Sequence, residues 1–202
     1  MTNAVALPEK SLKESKIYSL HEYLMREEKT IEKHEFYNGL IIKMPNAKFN
    51  HNLIATNSTF AIKLALLDLS KKYLVVGDGQ KVYIEPENIA VYPDALVICE
   101  KPVYFQNQKS LITNPLLIIE VLSPSTKKYD SKTKFDLYKL LPSFKEYVLI
   151  DTRKHAIETR FREEEDLWRI KTVVGVDAVL VLRSLENISV ALAQVYDNVE
   201  FA

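Results

Sequence analysis

Two carboxylates interrupt apolar runs that are otherwise typical of buried strands. Asp94 begins the run at 94–99, and Glu120 lies near the end of the run at 116–122. Burying an unpaired carboxylate is costly, and two acids that meet at one point most readily share a cation. Oxygen ligands of this kind suit Mg²⁺ or Mn²⁺. The alternative is that each acid only ends its strand in solvent or pairs with a nearby lysine.

A basic segment follows Glu120. Residues 123–126 read Ser-Pro-Ser-Thr and precede a predicted helix, and a helix start near Tyr129 would put Asp130 and Lys134 four residues apart on one face. In that position Lys134 either points toward the acidic pair or forms an ordinary ion pair with Asp130. Three further lysines are typical of a solvated basic face: Lys127, Lys128 and Lys132.

The surrounding residues predict an α/β domain. Ser19 and Glu22 have the capping-box spacing of a short helix, and Asn38-Gly39 supplies the two positive-φ residues of a type I′ hairpin turn. Residues 77–79, Gly-Asp-Gly, indicate a second hairpin-like turn. Strands are predicted near 73–76, 82–84, 94–99, 116–122, 147–151, 156–161, 167–174 and 179–182, and further helices over 47–69, 130–141 and 189–196.

The helix over 47–69 should cover one side of a sheet. It has no interior Gly or Pro, and its apolar residues recur at helical spacing. The residues that predict this face are Leu53, Ile54, Phe60, Ala61, Leu64, Ala65 and Leu67. The simplest packing of all these elements is a mixed central sheet flanked by helices.

The composition is that of an ordinary globular protein, with 202 residues of which 47% are hydrophobic and 27% charged. Lysine plus arginine equals aspartate plus glutamate at 27 each, which excludes a strongly basic polyanion-binding protein and requires any nucleic-acid surface to be local. One cysteine excludes an intramolecular disulfide framework, and no apolar stretch has the length of a signal peptide or membrane span. We therefore expect a cytoplasmic protein with a disordered leader at 1–16 and one domain at 17–202.

Several short motifs are spread along the chain in a characteristic order. They are Glu35 with Asn38-Gly39, His51, Pro93-Asp94, the residues 120–126 (Glu-Val-Leu-Ser-Pro-Ser-Thr), Asp130, Lys134, Tyr138 and Glu146-Tyr147. Together they resemble the Uma2-like family of the PD-(D/E)XK nuclease superfamily, and the resemblance extends from about Ser19 to Tyr196. It implies a restriction-endonuclease-like fold, in which a mixed central β-sheet is flanked by α-helices.

The resemblance also implies a metal-dependent endonuclease that hydrolyses phosphodiester bonds, with DNA as the expected substrate. Asp94, Glu120 and the main-chain carbonyl of Val121 would hold Mg²⁺ or Mn²⁺. The superfamily places a lysine two residues after the second acid to contact the attacking water, but Leu122 stands there in this sequence. The resemblance places Lys134 in that role instead, reaching in from the next helix, with Asp130 as a supporting residue.

Further residues are expected to contribute around this centre. Glu35 would join the site as a further acid, although a cross-strand pair with Lys43 is an alternative. His51 would orient a phosphate or assist proton transfer, unless it only caps its helix or lies on the surface. The substrate-binding residues would be Lys127, Lys128 and Lys132.

Two other functions stay open at this point. Leu122 motivates a catalytically silent nucleic-acid-binding or regulatory module of the same fold. An acid pair with a lysine is also compatible with a different phosphorylated substrate. The oligomeric state is open too, although a small domain acting on a two-stranded substrate would gain from a symmetric homodimer.

Overall fold

The computed structural model describes residues 16–201, so the predicted leader at 1–16 lies almost entirely outside the described residues. The helices are α1 (Leu20–Glu27), α2 (Phe49–Ala65), α3 (Phe135–Tyr138), which continues directly from a π-helical segment (Tyr129–Lys134), and α4 (Leu192–Val195). The strands are β1 (His34–Tyr37), β2 (Leu40–Lys43), β3 (Tyr73–Gly77), β4 (Lys81–Ile84), β5 (Ile89–Val91), β6 (Ala95–Cys99), β7 (Leu111–Ile112), β8 (Leu117–Leu122), β9 (Glu146–Asp151), β10 (Ala156–Arg162), β11 (Trp168–Val174), β12 (Val179–Leu182) and β13 (Ile188–Ala191).

The strands form two large sheets and a separate hairpin. The larger sheet has the order β11-β10-β9-β8-β6-β3 and is mixed, because β8 and β9 are parallel whereas the other neighbours are antiparallel. The second sheet has the order β2-β1-β5-β4-β7, and β12 pairs with β13. The predicted mixed α/β architecture is confirmed, and the second sheet is an addition that the sequence did not predict.

The first helix and the first hairpin are as predicted. Ser19 caps α1 in a complete capping box, in which Ser19 Oγ accepts from the Glu22 amide and the Glu22 carboxylate accepts from the Ser19 amide. Asn38 and Gly39 connect β1 to β2 with φ values of 42° and 102°. A substitution at Gly39 would be strained for this reason, and a Cβ there would also meet the Ile17 side chain at 2.7 Å.

The pairing of β6 with β8 brings the two predicted acids to one edge of the larger sheet. The strands are antiparallel with Ala95 opposite Ile119, so Asp94, just before Ala95, lies near Glu120, just after Ile119. Apart from the half-buried Cys99 at the end of β6, the residues of both strands are buried, which explains their continuous apolar runs.

The predicted hairpin around residues 77–79 is wrong. The strands on either side exist, but β3 pairs with β6 in the larger sheet whereas β4 pairs with β5 and β7 in the smaller one. The turn therefore carries the chain from one sheet to the other. Turn residues such as Gly79, at φ 110°, determine where a strand ends but not which strand it pairs with.

The predicted apolar face of α2 is only partly correct. The buried residues of this helix are Ile54, Ser58, Ala61 and Ile62, whereas Phe60, Leu64 and Leu67 are exposed. Residues 60, 64 and 67 also recur at helical spacing, so they form a second apolar stripe on the other side of the helix. Two stripes with the same period cannot be distinguished by periodicity alone. Ser58 can lie in the buried stripe because its hydroxyl donates a hydrogen bond of 2.7 Å to the Ile54 carbonyl.

The helix predicted near 189–196 is half strand. Residues Ile188–Ala191 form β13, where burial alternates along the strand, and only Leu192–Val195 are helical. Among residues 16–201, no helix combines the length and the apolar character that crossing a membrane requires.

Glu146, at the start of β9, ties the larger sheet to the turn that follows β12. Its side chain is fully buried and accepts hydrogen bonds from the Arg183 amide at 3.2 Å and from the Ser184 amide and hydroxyl, each at 2.8 Å. Burial raises the pKa of Glu146, and the hydrogen bonds from Ser184 and Arg183 oppose this shift.

Replacing this carboxylate should therefore destabilise the fold. We expect Glu146→Ala to lower the free energy of unfolding by about 2–4 kcal/mol, because three donors lose their buried acceptor. Urea unfolding followed by circular dichroism measures the change. The exposed Glu165 serves as the control, since Glu165→Ala should change stability by less than about 0.5 kcal/mol. Equal stability of the two variants would contradict the anchoring assignment.

Candidate active site

Lys134 is the centre of a buried cluster of acids. Its Nζ atom lies 3.1 Å from Glu120 Oε1, 3.4 Å from Glu35 Oε1 and 3.7 Å from Asp130 Oδ1. The ammonium group also donates to the Tyr92 carbonyl at 3.1 Å. Only about 6% of the lysine side chain is exposed, so these contacts take the place of water. The structure thus brings Lys134 together with Glu120, Glu35 and Asp130.

A π-helical segment, Tyr129–Lys134, delivers this lysine to the edge of the larger sheet. Such segments are rare and are frequent at functional sites, because the wider turn redirects side chains. Here Asp130 and Lys134 are the buried residues of the segment. Two carbonyl groups of the segment accept hydrogen bonds from neighbouring strands. The Tyr147 hydroxyl donates to the Asp130 carbonyl at 2.9 Å, and Arg160 Nη1 donates to the Ser131 carbonyl at 2.6 Å.

Asp94 is oriented by a main-chain and a side-chain contact. Its Oδ2 atom accepts a hydrogen bond of 2.7 Å from the Val121 amide and lies 3.3 Å from His51 Nε2. The side chain is one-fifth exposed and lines a large cleft. The other oxygen, Oδ1, accepts no hydrogen bond from residues 16–201, which leaves it available to a ligand.

His51 lies in the first turn of α2 and faces Asp94 rather than capping its helix. Burial alone would lower the pKa of His51, but the hydrogen bond to Asp94 and the charge of that carboxylate outweigh burial and raise the pKa. The other ring nitrogen, Nδ1, is buried and has no hydrogen-bond partner among the described residues.

Three tyrosine hydroxyls hold the acids of the cluster, and the sequence did not predict their role. The Tyr37 hydroxyl donates to Glu35 Oε2 at 2.7 Å, and Tyr129 reaches the same oxygen at 3.3 Å. The Tyr138 hydroxyl donates to Glu120 Oε1 at 3.0 Å. Strand periodicity could have indicated Tyr37, since residues two apart lie on the same face of a strand.

Glu35 belongs to this cluster and not to a cross-strand ion pair. It faces Ile42 across β1 and β2, and Lys43 is paired with Glu32 instead. The Tyr92 amide also donates to Glu35 Oε1 at 3.4 Å. The predicted further acid is therefore brought to the same place as Glu120 and Lys134.

Burial and mutual repulsion set the charges of the cluster. Burial raises the pKa of Glu120 well above its ordinary value, Asp130 and Asp94 add to this shift, and Lys134 opposes it. For Lys134, burial alone would lower the pKa, but Glu120 and Glu35 outweigh burial and raise the pKa well above its ordinary value. Lys134 is therefore a cation at neutral pH, and one positive charge faces several carboxyl groups.

The cluster opens into a cleft of about 2350 Å³, far larger than the roughly 300–1,000 Å³ of sites for small ligands. Asp94, Glu120 and Val121 line it, as do two of the three lysines predicted to bind substrate, Lys128 and Lys132. The third, Lys127, does not line the cleft, and its Nζ lies 3.5 Å from Asp151 Oδ2.

The donor set at the cleft fits a hard cation with few protein ligands. Within residues 16–201, no three His, Cys, Asp or Glu side chains are arranged to hold a metal ion. Mg²⁺ sites, however, often use only one or two carboxylates together with water. Asp94 and Glu120 meet this requirement, because each has one oxygen that accepts no hydrogen bond from the described residues, and the Val121 main chain lies beside them.

Comparison with known proteins assigns the family. The model of the Uma2 family, described as "Putative restriction endonuclease", matches residues 20–193, and the chain therefore belongs to the Uma2 family. An uncharacterized protein of Synechocystis sp. is 34% identical over 164 residues, which cover 81% of this chain and 92% of that protein. A second protein of the same organism is 31% identical over 191 residues, with 91% and 93% covered.

A solved structure shows the fold. A crystal structure from Anabaena variabilis, described as a "putative nuclease belonging to DUF820", superposes with a TM-score of 0.66 and 16% sequence identity. The match covers 89% of this chain and 97% of the Anabaena chain. The expected restriction-endonuclease-like fold, a mixed sheet with flanking helices, is thereby confirmed.

Removal of the central lysine should destabilise the protein in a pH-dependent way. We expect Lys134→Met to lower the free energy of unfolding at pH 7 by about 3–5 kcal/mol, because buried carboxylates lose their counter-charge. The loss should be smaller at pH 5, because burial raises the pKa values of Glu120 and Asp130, and these groups take up protons in the native state as pH falls.

Urea unfolding at the two pH values measures this effect. Lys139→Met is the matched control, because Lys139, directly after α3, forms an exposed ion pair with Asp136, and its removal should cost less than about 1 kcal/mol at either pH. A pH-independent loss in Lys134→Met would contradict the electrostatic explanation.

Proposed function

We propose that this protein is a Mg²⁺- or Mn²⁺-dependent endonuclease that hydrolyses phosphodiester bonds in DNA. The observation that supports this function best is the contact between the Lys134 ammonium group and Glu120 at the base of a large cleft. The superfamily pattern requires a lysine beside the second acid. Leu122 cannot supply it, and Lys134 can do so from the next helix.

The metal ligands in this proposal are Asp94, Glu120 and the main-chain carbonyl of Val121. A bound Mg²⁺ or Mn²⁺ would polarise a phosphoryl oxygen and lower the pKa of a bound water. The Val121 amide and His51 hold one oxygen of Asp94, which turns the other oxygen toward the ligand. His51 thus positions Asp94, since its Nε2 faces this carboxylate and its Nδ1 is buried.

Lys134 acts as a cation and not as a base. Its pKa is raised because the acids around it outweigh the effect of burial, so it keeps its proton at neutral pH. A fixed ammonium group can orient the attacking water and offset negative charge that develops on the phosphate. Glu35 and Asp130 complete the acidic cluster and hold the lysine in place.

The expected partner is a nucleic acid, which a cleft of this size can hold over more than one nucleotide. Lys128 and Lys132 line the cleft and would bind phosphates, with Lys127 directly before Lys128 in the chain. Cleavage of both strands of a duplex would take two such centres, as a symmetric homodimer would supply. The single cysteine favours a cytoplasmic location.

Loss of either metal-binding carboxylate should abolish cleavage without unfolding the protein. We expect Asp94→Asn and Glu120→Gln each to reduce Mn²⁺-dependent cleavage of DNA by at least about 10³-fold, because each amide removes a charged ligand. Asp136→Asn, on the exposed side of α3, is the matched control and should retain activity.

A gel assay with single-stranded, duplex and branched DNA, and with RNA, measures this effect, and circular dichroism verifies the fold of each variant. Folded wild-type protein that cleaves none of these substrates with either metal would contradict the proposal. It would favour the silent binding module, for which Mn²⁺ binding at the acid pair is not required.

Metal binding should become tighter as pH rises. Burial raises the pKa of Glu120, so a proton competes with the cation for this carboxylate, and affinity should increase by up to about tenfold per pH unit while one proton is released. Calorimetric titration of Mn²⁺ between pH 6 and pH 8, in buffers of different ionisation enthalpy, measures both affinity and proton release. Affinity that does not depend on pH would exclude Glu120 as the competing ligand.

A further inference from the structure

One wall of the cleft is formed by helix α2 and carries an exposed aromatic ring. Phe60 lines the cleft, and 67% of its surface is accessible. Lys48, at the residue before the helix, and Lys63, in its last turn, line the same wall. These lysines are 15 residues apart, which corresponds to about 22 Å along a helix.

Four lysines around the cleft form no ion pair with any residue in the range 16–201. They are Lys48 and Lys63 on the α2 wall and Lys128 and Lys132 on the π-helical side. The two other exposed or half-exposed lysines of the cleft are neutralised, Lys33 by Asp78 and Lys43 by Glu32. The chain as a whole is neutral, so these four unpaired charges form a local positive surface around the acidic base of the cleft.

The position of Phe60 relates it to the proposed centre. It lies nine residues after His51 on the same helix, which is about 13 Å along the axis and two and a half turns, so the ring is on the opposite side of α2 from His51 and at the exposed edge of the cleft. The wall between them is polar, with Thr56 and Thr59 also lining the cleft. The neighbours of Phe60 one turn away on α2 include Thr56, Lys63 and the exposed Leu64.

Aromatic rings next to phosphate-binding lysines are suited to unpaired nucleotides. Stacking of a base on an aromatic ring contributes about 1–3 kcal/mol, and every base has a face for it. In a duplex the base faces are already stacked, and backbone contacts are made by basic and polar groups that need no aromatic ring. The acids also lie deep, since about 3% of the Glu120 side chain is exposed.

We infer, on the basis of the proposed nuclease function, that the cleft binds single-stranded or locally unpaired nucleic acid. Phe60 stacks on an unpaired base at the exposed α2 edge of the cleft, and Lys48 and Lys63 bind the backbone along α2. Lys128 and Lys132 contact the strand from the opposite side.

The test is fluorescence anisotropy without added divalent metal, with a labelled single-stranded DNA and the duplex of the same sequence. Wild-type protein should bind the single strand more tightly. Phe60→Ala should weaken single-strand binding by about 5- to 100-fold and change duplex binding by less than about twofold, whereas Phe60→Trp should retain single-strand binding. Phe49→Ala is the matched control, because Phe49 is an exposed phenylalanine of the same helix that does not line the cleft.

Several results would overturn this inference. They are a wild-type preference for duplex, equal effects of Phe60→Ala and Phe49→Ala on the single strand, and equal weakening of both substrates by Phe60→Ala. If cleavage still depends on Asp94 in any of these cases, the nuclease function stands and only the assignment of the α2 wall fails. Binding to neither DNA, together with absence of cleavage, would contradict both proposals.

Discussion

The site depends on one buried ammonium group that lets several carboxyl groups share the interior of the protein. Lys134 contacts Glu35 from the smaller sheet, Glu120 from the larger sheet and Asp130 from its own helix, and it donates to the Tyr92 carbonyl between them. Without this charge, the burial that raises the pKa of Glu120 would favour its protonated form still more. The same group therefore joins the two sheets and holds the acids close together.

The architecture explains why Lys134, and not the residue at position 122, contacts Glu120. Leu122 ends β8 and packs into the core, with 7% of its surface exposed, so the position two residues after Glu120 serves the fold. The π-helical segment then returns the chain toward Glu120 and directs Lys134 at this carboxylate from the neighbouring helix. The proposed chemistry needs an ammonium group at one point in space, and a helix position can provide it as well as a strand position.

Much of the fold followed from local pattern. The capping box of α1, the Asn38-Gly39 turn and the apolar runs of β6 and β8 are short-range signals, and each was predicted correctly. The division into two sheets, the orientation of α2 and the strand at Ile188–Ala191 depend on long-range pairing, which periodicity does not encode. At the site, charged side chains stood out against apolar surroundings, whereas the tyrosine hydroxyls and the Tyr92 carbonyl carry no signal in the sequence, because tyrosines are common in cores and every residue has a carbonyl.

The central claim is that Asp94 and Glu120 bind one divalent cation beside Lys134. The most direct measurement is anomalous diffraction from crystals grown with Mn²⁺. It should show one strong peak within about 2.1–2.3 Å of an oxygen of Asp94 and an oxygen of Glu120, with the Val121 carbonyl as a third ligand and Lys134 still beside Glu120. A Mn²⁺ peak bound elsewhere, with Asp94 and Glu120 in the positions described above, would contradict the claim.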